Sequence, residues 1–364
     1  MKRILLLSRD FKHLGGVVNY TKILFNNLNK DKFSVKHHVI GRPIDSIGNL
    51  RLLLLVINQY LNFNREIKTF KPDLVHLNPS IGFRSLPRDL IYLLISKLNN
   101  CNTLLFIRGW SPGASGFFFT NRILRFIVSK ILSISNHFLV LSKAFKNKLE
   151  QLGIDSKKIT ITTTIVEFEK YHTANKKADN LSNLLFCSRI EKDKGIYHLV
   201  YAIFLVKFFV PEIRLYVVGK GSEMDALSAK VKQLNLDKNI EIVGYKEGEQ
   251  KVEYYKKSDI FVLPSFHEGL PNVFCEALAS GLAFISTPVG GLADRLEDGK
   301  QGFVIRSMPP SPREIATILV RLIKAPEIFE EISRNNLFEA KKTYDSKVVV
   351  EKIEKKYIEI IAEV

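Results

Sequence analysis

Short apolar runs alternate with segments of helical period along most of the chain, and this alternation is the first structural signal in the sequence. A short run rich in Val, Ile, Leu and Phe is typical of a strand that is buried on both faces of a parallel sheet. The intervening segments place apolar residues on one side of a helix. The pattern therefore predicts an α/β protein built from two stacks of βαβ units.

The predicted strands form two groups of six. Those of the first group are Arg3–Ser8, Val35–Ile40, Leu74–Leu77, Thr103–Ile107, His137–Leu141 and Lys158–Thr162. Those of the second group are Asn183–Ser188, Arg214–Val218, Ile240–Val243, Ile260–Leu263, Ala283–Ser286 and Phe303–Ile305. Residues Glu167 to Leu181 are polar and lack a clear period, so we predict a linker there.

These boundaries divide the chain into an N-terminal domain at residues 1–170, a second domain at 171–344 and a C-terminal helix at 345–364. In the last segment apolar residues recur at helical spacing, which predicts a helix with one buried face. They are Val348, Val349, Ile353, Tyr357, Ile360 and Ile361. Such a helix can cross back to the first domain, and the predicted fold includes that option.

Composition agrees with a two-domain globular protein. The chain has 364 residues, of which 46% are hydrophobic and 25% charged. Cys101, Cys187 and Cys275 are scattered and share no metal-ligand spacing, which favours a reducing compartment over a disulfide framework or a zinc site. The first apolar run is too short for a signal peptide, and charges interrupt every stretch that could span a membrane. We expect a cytoplasmic protein, either free or peripheral to the membrane.

The net charge of +17 is concentrated in the first half of the chain. Residues 1–170 contain 26 Lys/Arg and 10 Asp/Glu, whereas residues 171–364 contain 28 and 27. A basic field of this size attracts nucleic acid, an anionic membrane or a phosphorylated acceptor. The alternative is a basic surface that is merely solvated.

Two loops are candidates for binding phosphate. Gly15-Gly16 lies between a strand and a helix, where glycine lets backbone N–H groups approach an anion, although a tight turn alone would explain it. Arg189 and Lys194 follow the strand that begins at Asn183, and ligands of open α/β sheets bind at such strand ends. The two cations suit a diphosphate, and the alternative is a charged solvent loop.

The segment from Ser258 to Gly302 carries the clearest chemistry. A buried strand ends at Pro264, and a helix begins near Asn272, where its first N–H groups form an anion site. Glu268 lies in the loop before this helix and Glu276 lies about one turn inside it. Carboxylates beside an anion site suggest hydrogen bonds from hydroxyl groups, such as those of a ribose or a sugar.

The same segment resembles glycosyltransferase family 4, a large retaining group with the GT-B fold of two Rossmann-like domains that face each other across a cleft. The similarity rests on Glu268-x7-Glu276 in the context E-G-L-P-N-V-x-x-E-A-L-A-x-G, followed by Gly290-Gly291 and the run from Asp298 to Gly302. It is sharpest from Asn183 to Phe303.

The resemblance implies roles for individual residues. Arg189 and Lys194 would neutralise the departing diphosphate, and Glu268 would lie near the transferred sugar. The remaining donor contacts that it implies are Gly15, Gly16, Gly244, Tyr245, Leu270, Asn272, Val273 and Glu276, of which Glu276 would bind the donor ribose.

The resemblance also implies the reaction. A sugar would pass from a nucleotide-diphosphate sugar to a hydroxyl of a saccharide or lipid-linked saccharide with retention, as in the synthesis of cell-surface polysaccharide or glycolipid. The main demand is then charge stabilisation on the diphosphate. No D-x-D motif is present to hold a metal, so we expect no metal and no cofactor other than the nucleotide sugar as co-substrate.

Two positions on the acceptor side remain open. Many relatives carry His-Gly after the fourth N-terminal strand, where this chain reads Arg108-Gly109. Arg108 is therefore a candidate contact to a phosphate, the sugar or the acceptor. His76 lies near another strand end and is either a site residue or a structural one.

The expected partners follow from the basic half of the chain. Segment Phe117 to Ile134 interleaves apolar residues with Arg122, Arg125 and Lys130, which fits either a helix on an anionic bilayer or a core helix. We expect the N-terminal domain to contact an anionic membrane surface. Nucleic acid is not expected, since no recognisable motif accompanies the charge. A nucleotide-sugar epimerase of the same fold and a non-catalytic sugar-binding protein remain alternatives.

Overall fold

The computed structural model describes residues 1–41, 49–173 and 181–363. The chain divides into two compact units. Unit 1 comprises residues 1–164 together with 346–364, and unit 2 comprises residues 165–345. Each unit is an α/β body with its own parallel sheet.

The main sheet of unit 1 has six parallel strands. Its strands in chain order are β1 (Lys2–Ser8), β2 (Phe33–Val39), β3 (Leu74–Leu77), β5 (Asn102–Ile107), β7 (His137–Val140) and β8 (Ile159–Ile161), in the spatial order β2-β1-β3-β5-β7-β8. Two short strands, β4 (Ser80–Ile81) and β6 (Gly109–Trp110), pair with each other separately. The sequence pattern did not predict β4 and β6, since two residues are too short to show a period.

Among its described residues, unit 1 has six α-helices between its strands. They are α1 (Gly16–Asn27), α2 (Asn49–Phe70), α3 (Ser85–Leu98), α4 (Pro112–Thr120), α5 (Arg122–Ser133) and α6 (Lys143–Gln151). Residues of α2, α3, α5 and α6 share one core with β1, β3, β5 and β7, so these helices cover the same face of the sheet.

The segment predicted as one basic amphipathic helix from Phe117 to Ile134 is broken in two. Asn121 separates α4 from α5, because its side chain accepts hydrogen bonds from the N–H groups of Ile123 and Leu124, both at 3.0 Å. An Asn that caps the next helix in this way stops the preceding one. Val128 and Leu132 of α5 are buried in the core, whereas other apolar residues of α5 are exposed.

Unit 2 is built around a second parallel sheet of six strands. The strands are β9 (Asn183–Cys187), β10 (Arg214–Val218), β11 (Ile240–Gly244), β12 (Ile260–Leu263), β13 (Ala283–Ser286) and β14 (Gly302–Val304), in the spatial order β11-β10-β9-β12-β13-β14. The helices are α7 (Phe168–Tyr171), α8 (Ile196–Val206), α9 (Met224–Gln233), α10 (Gly248–Lys257), α11 (Asn272–Ala279), α12 (Pro312–Ile323) and α13 (Pro326–Glu339). This strand order is that of a Rossmann sheet.

The last helix, α14 (Ser346–Ala362), belongs to unit 1. The Tyr357 hydroxyl lies 2.6 Å from Nδ1 of His76 on β3, and the Glu354 carboxylate accepts a hydrogen bond from the N–H of Asn29 at 2.7 Å. Its predicted buried face is confirmed, because Val349, Ile353 and Tyr357 are all at most 2% exposed. The chain therefore crosses back to the first unit at residue 346.

The segment predicted as a linker, Glu167 to Leu181, is partly structured. Phe168 begins α7 and is buried within unit 2, with 6% of the residue exposed. The prediction of a linker is wrong at α7, where a single helical turn is too short to show a period. Residues 174–180 lie outside the described residues.

Across the described ranges, none of the helices combines the length and the apolar character that crossing a membrane requires.

Candidate functional site

Two loops of unit 2 meet where the order of its sheet reverses. Strands β9 and β12 are neighbours, and from there the chain builds outward in opposite directions to β11 and β14. Ligands of open α/β sheets bind at the carboxyl ends of such a strand pair, because the two loops diverge and leave a crevice. The loops are joined by the N–H of Phe266, which donates to the Asp193 carbonyl at 2.9 Å.

A glycine fixes Lys194 against the loop that follows β12. Gly195 has φ 71°, and a Cβ at this residue would lie 2.0 Å from the carbonyl oxygen of Pro264. Only glycine tolerates both the left-handed conformation and this approach. Lys194 Nζ consequently reaches Glu268 Oε1 at 2.9 Å and the His267 carbonyl at 3.1 Å.

Glu268 is anchored from three sides. Its Oε1 accepts hydrogen bonds from Lys194 and from the Ser265 hydroxyl, the latter at 2.8 Å. The turn at Gly290 closes over the backbone, since a Cβ there would lie 2.1 Å from the Glu268 carbonyl oxygen. The side chains of Lys194 and Glu268 are 8% and 13% exposed. The structure thus brings two predicted catalytic residues together as a largely buried ion pair.

The third predicted catalytic residue, Arg189, lies in the same loop but in a different environment. Its side chain is 64% exposed, and Nη1 contacts a carboxylate oxygen of Glu191 at 2.6 Å. The described residues show no hydrogen bond from Arg189 to Lys194 or to Glu268. The structure therefore does not join Arg189 to this ion pair.

Glu276, the predicted ribose ligand, lies in a buried network on α11. Its carboxylate is 2% exposed and accepts hydrogen bonds from Lys251 Nζ at 2.7 and 2.6 Å and from the Tyr255 hydroxyl at 2.7 Å. Burial alone would lower the pKa of Lys251, but the adjacent Glu276 carboxylate raises that pKa above its usual range. Burial raises the pKa of Tyr255, so its hydroxyl stays a donor.

Sequence reasoning missed Lys251 and Tyr255. They lie four residues apart on α10, so both side chains project from the same side of that helix toward α11. This spacing was the available signal, but i, i+4 pairs of Lys and Tyr are common on helices. Only the fold shows that a buried carboxylate lies opposite.

The predicted backbone contacts lie at the start of α11. Pro271 precedes the helix with φ −71° and ψ 136°, and Asn272 and Val273 occupy its first turn, half-buried. The first N–H groups of a helix lack partners within the helix. Leu270 differs from them, because its side chain is buried at 4% exposure.

Gly244 and Tyr245 lie at the same edge of the sheet, at the carboxyl end of β11. Gly244 has φ 80°, and its carbonyl accepts a hydrogen bond from the N–H of Gly219 at 2.9 Å. The Tyr245 side chain is 41% exposed and its hydroxyl donates to Glu247 at 3.0 Å. The exposed ring and the adjacent glycine are open to a ligand along this edge.

In unit 1, Gly15 precedes α1, whose first residue is Gly16. Gly15 has φ 141°, a conformation that favours glycine, and no atom lies within 4 Å of the position that a Cβ would take. The space in front of the α1 N-terminus is therefore open to an anion.

Arg108 is a buried cation in unit 1. It follows β5 and is 7% exposed, with its guanidinium 4.0 Å from the ring centre of Tyr20 and 4.3 Å from that of Phe106. Burial lowers its pKa to about 10. Within the described part of the chain, Nε and Nη1 of Arg108 have no hydrogen-bond partner, and neither do the Tyr20 hydroxyl and Oδ1 of Asn78.

His76, the other residue left open, is fully buried on β3. Its Nδ1 pairs with the Tyr357 hydroxyl at 2.6 Å, and burial together with Arg108 lowers the pKa of His76 to about 3. The imidazole is therefore neutral at physiological pH, and it ties α14 to the sheet.

Comparison with known families gives a match within the second unit. Residues 167–341 match the family model described as glycosyl transferases group 1. The matched residues include Lys194, Glu268 and Glu276. The match agrees with the predicted class of enzyme, a glycosyltransferase.

One curated relative is the capsular polysaccharide biosynthesis glycosyltransferase CapM of Staphylococcus aureus. It is 26% identical over 248 residues, which cover 65% of this chain and 63% of the relative. The alignment thus spans less than two thirds of CapM.

Two solved structures confirm the predicted GT-B class of fold. Sucrose-phosphate synthase from Thermosynechococcus elongatus superimposes with a TM-score of 0.80 at 19% identity, covering 100% of both chains. HepE from Anabaena, solved in complex with UDP and glucose, gives a TM-score of 0.75 at 17% identity and covers 98% of this chain and 99% of its own.

Proposed function

We propose that the protein is a retaining glycosyltransferase that moves a sugar from a nucleotide-diphosphate sugar to a hydroxyl of a saccharide or lipid-linked saccharide. The observation that carries the proposal is the Lys194–Glu268 pair at the switch point of the unit that matches the group 1 glycosyltransferase model. Support for the donor class comes from HepE, which was solved with UDP and glucose. CapM, a capsular polysaccharide enzyme, supports a pathway of that kind.

Lys194 would act on the diphosphate. An ammonium group has three donors, and the contacts to Glu268 and to the His267 carbonyl use two of them. The third is available for a phosphate oxygen, and the N-terminus of α11 adds further positive potential. Held by Lys194 and Ser265, the Glu268 carboxylate would lie in a fixed position near the sugar. Charge that develops on the leaving diphosphate would then be stabilised by groups that are already in place.

Glu276 would hold the donor ribose. Its Oε1 accepts one hydrogen bond from Lys251, and a carboxylate oxygen can accept two. A ribose hydroxyl could therefore be added without breaking the network. Arg189, which is exposed, would turn from Glu191 to the diphosphate when the donor is bound. Gly244, Tyr245 and the α11 backbone would complete the donor contacts.

The acceptor would bind unit 1. Arg108 would contact an acceptor or phosphate group, because its buried Nε and Nη1 have no hydrogen-bond partner among the described residues and need an acceptor atom. The basic excess of this half would hold the enzyme on the cytoplasmic side of an anionic membrane, where a lipid-linked acceptor is found. We further propose that no metal or cofactor takes part, so that excess EDTA leaves the rate unchanged.

A donor screen tests the proposal. UDP, GDP and dTDP sugars are incubated with a lipid extract, and nucleotide release is compared for the wild type, Lys194→Ala and Lys192→Ala. Lys192 is the matched control, because it lies in the same loop with a side chain that is 80% exposed. We expect Lys194→Ala to release nucleotide at least about a hundredfold more slowly, as for the loss of a preorganised charge contact. Equal rates for the two variants would refute the site.

The anomeric configuration of the product, read by NMR, tests retention. An inverted product would contradict the mechanism while leaving the transferase activity intact. An epimerised nucleotide sugar that forms without acceptor would favour the epimerase alternative instead.

A further inference from the structure

Helix α5 of unit 1 has two apolar sides. Val128 and Leu132 face the core, whereas Ile123, Phe126 and Ile127 are 71%, 64% and 46% exposed. Residues three and four apart lie on the same side of a helix, so these three form one outward stripe. A helix on the surface of a soluble domain normally carries polar residues there. The outward side of α5 is thus apolar although nothing in the described parts of the chain covers it.

The two neighbouring helices repeat this feature. Their exposed apolar residues, each set spaced i, i+3, i+7, are Leu54, Ile57 and Leu61 on α2 and Ile91, Leu94 and Leu98 on α3. Helix α3 packs against both α2 and α5, and all three cover the same face of the sheet. Their outward sides therefore form one surface, which we call the three-helix face.

Aromatic residues extend the three-helix face beyond the start of α5. Phe117 of α4 and Phe83, which precedes α3, are 56% and 55% exposed, and their ring centres are 5.7 Å apart. Large contiguous apolar patches on a soluble protein mark a binding surface, whereas single exposed side chains do not.

The net charge of the three helices that form this face is positive. Helices α2, α3 and α5 together contain eight Lys/Arg and two Asp/Glu, a net charge of +6. Of the acidic residues on these helices, Glu66 pairs with His38 at 2.7 Å and Asp89 pairs with Arg88 at 2.7 Å. The outward sides are consequently apolar and basic.

A surface cavity lies beside the outward stripe of α5. It has a volume of ≈ 480 Å³, and its lining includes Arg122, Arg125, Lys130 and the ring of Phe126. Ser129 and Ser133 also belong to the lining, and their hydroxyl groups donate to the carbonyls of Leu152 and Lys130. Three cations around one open cavity are suited to a phosphate group.

We propose that the three-helix face docks on an anionic bilayer, with Phe126 and Ile123 among the acyl chains and a lipid phosphate in the α5 cavity. Apolar side chains ringed by cations are the chemistry of an interfacial membrane surface. A second copy of the chain is a poorer occupant, because two surfaces of the same positive charge repel each other. The inference rests on the proposed function, since docking in this way would hold unit 1 beside a lipid-linked acceptor.

Flotation of the full-length protein tests the docking surface. Vesicles of phosphatidylcholine alone are compared with an equimolar mixture of phosphatidylcholine and phosphatidylglycerol. The double variant Ile123→Glu/Phe126→Glu is compared with Phe208→Glu/Phe209→Glu, whose rings in unit 2 are 68% and 67% exposed. We expect the wild type and the control to float only with the anionic vesicles, and the α5 variant to bind them at least about tenfold more weakly.

A charge variant tests the cavity separately. Arg122→Gln/Lys130→Gln should bind anionic vesicles roughly thirtyfold more weakly, because each cation at the surface contributes about fivefold. Lys232→Gln/Lys238→Gln in unit 2 is the matched control and should bind as the wild type does. Inorganic phosphate could compete with vesicle binding while the α5 apolar variant still binds anionic vesicles as the wild type does. This result would indicate that the cavity binds free phosphate, and it would overturn the assignment to a lipid phosphate.

Three outcomes overturn the proposal: flotation that ignores lipid charge, equal loss in the α5 variant and its control, or a dimer in sedimentation velocity that the α5 variant dissociates. Thermal melting confirms that each variant is folded. Transfer to a water-soluble acceptor should stay at the wild-type rate in all four variants. If the wild type also fails to transfer sugar to this acceptor, the proposed function is contradicted. The flotation result then still tests the docking surface by itself.

Discussion

The buried pair of Lys251 and Glu276 gives the sharpest stability prediction. Glu276→Gln keeps the size of the side chain but leaves the Lys251 ammonium without its counter-ion. Lys251→Met leaves the carboxylate, which is 2% exposed, with only the tyrosine hydroxyls of Tyr255 and Tyr171 as partners in the network. Each single change therefore creates an uncompensated buried charge, and the double change creates none.

The magnitude follows from the cost of breaking a buried pair. Removing one partner should cost about 3 kcal/mol of folding free energy. This value is at the lower end of the usual range, because the Lys251 side chain is 20% exposed. The double variant leaves no unpaired charge and should lose at most about 3 kcal/mol rather than the sum of about 6 kcal/mol, which gives a coupling of at least about 3 kcal/mol. For a unit of this size, each single change should lower the unfolding midpoint by about 6 to 12 °C.

The pH dependence has a definite sign. The pKa of Lys251 is raised in the folded protein, so the stability that it contributes is fully present below the ordinary lysine pKa and is lost only as the pH rises above it. The effect of Lys251→Met should consequently be the same at every pH between about 6 and 9.

Scanning calorimetry with urea titration measures all four proteins of this cycle. Glu253→Gln, an exposed change on α10, is the control and should leave the midpoint within about 1 °C. Additive single effects, within about 0.5 kcal/mol, would refute the reasoning, because independent side chains do not form a pair.

Three further predictions concern the loop, the acceptor side and α14. Gly290→Ala should destabilise the protein by at least about 2 kcal/mol more than Gly248→Ala in urea unfolding. Both residues have a positive φ, but only at Gly290 would the Cβ meet the Glu268 carbonyl, so equal losses would contradict this geometry. Arg108→Met should raise the acceptor KM at least about tenfold without lowering the unfolding midpoint, because two buried nitrogen atoms of the Arg108 guanidinium have no partner among the described residues. A lower midpoint with an unchanged KM would indicate a structural role. Because the pKa of His76 is lowered to about 3, the wild type should lose about 1.4 kcal/mol of stability per pH unit relative to His76→Gln between about pH 6 and pH 4; parallel pH profiles would show that His76 is not held neutral.

Much of the fold could be predicted from the sequence, because buried parallel strands are short continuous apolar runs. All twelve strands of the two main sheets were predicted, with ends within two residues, and β3, β10, β12 and β13 matched at both ends. The helix α14 was predicted from its period. The breaking of α4 from α5 was missed, since the cap at Asn121 interrupts a segment that is apolar on both sides.

The sequence named the candidate site residues, but it did not predict the contacts between them. The loop after β9 and the loop after β12 were both identified, but the ion pair between Lys194 and Glu268 joins residues 74 positions apart. Nothing local in the sequence indicates such a contact. Arg189 lies in the same loop as Lys194, but its side chain is exposed and pairs with Glu191, a contact that the sequence analysis did not predict.

The outward face of α5 could not be predicted from the periodicity of the sequence. The segment is apolar enough to lie in a core or on a membrane, and periodicity does not say which side faces the sheet. The structure assigns Val128 and Leu132 to the core and Phe126 to the surface. Only the packing of the helix against its neighbours separates the two sides.

The catalytic site is tested most directly by the turnover of a nucleotide sugar by Lys194→Ala and by Lys192→Ala, with each protein shown to be folded. We expect Lys192→Ala to keep the wild-type kcat, whereas Lys194→Ala should lose at least about a hundredfold in kcat. Wild-type turnover in Lys194→Ala would contradict the claim that the switch point of unit 2 is the catalytic site.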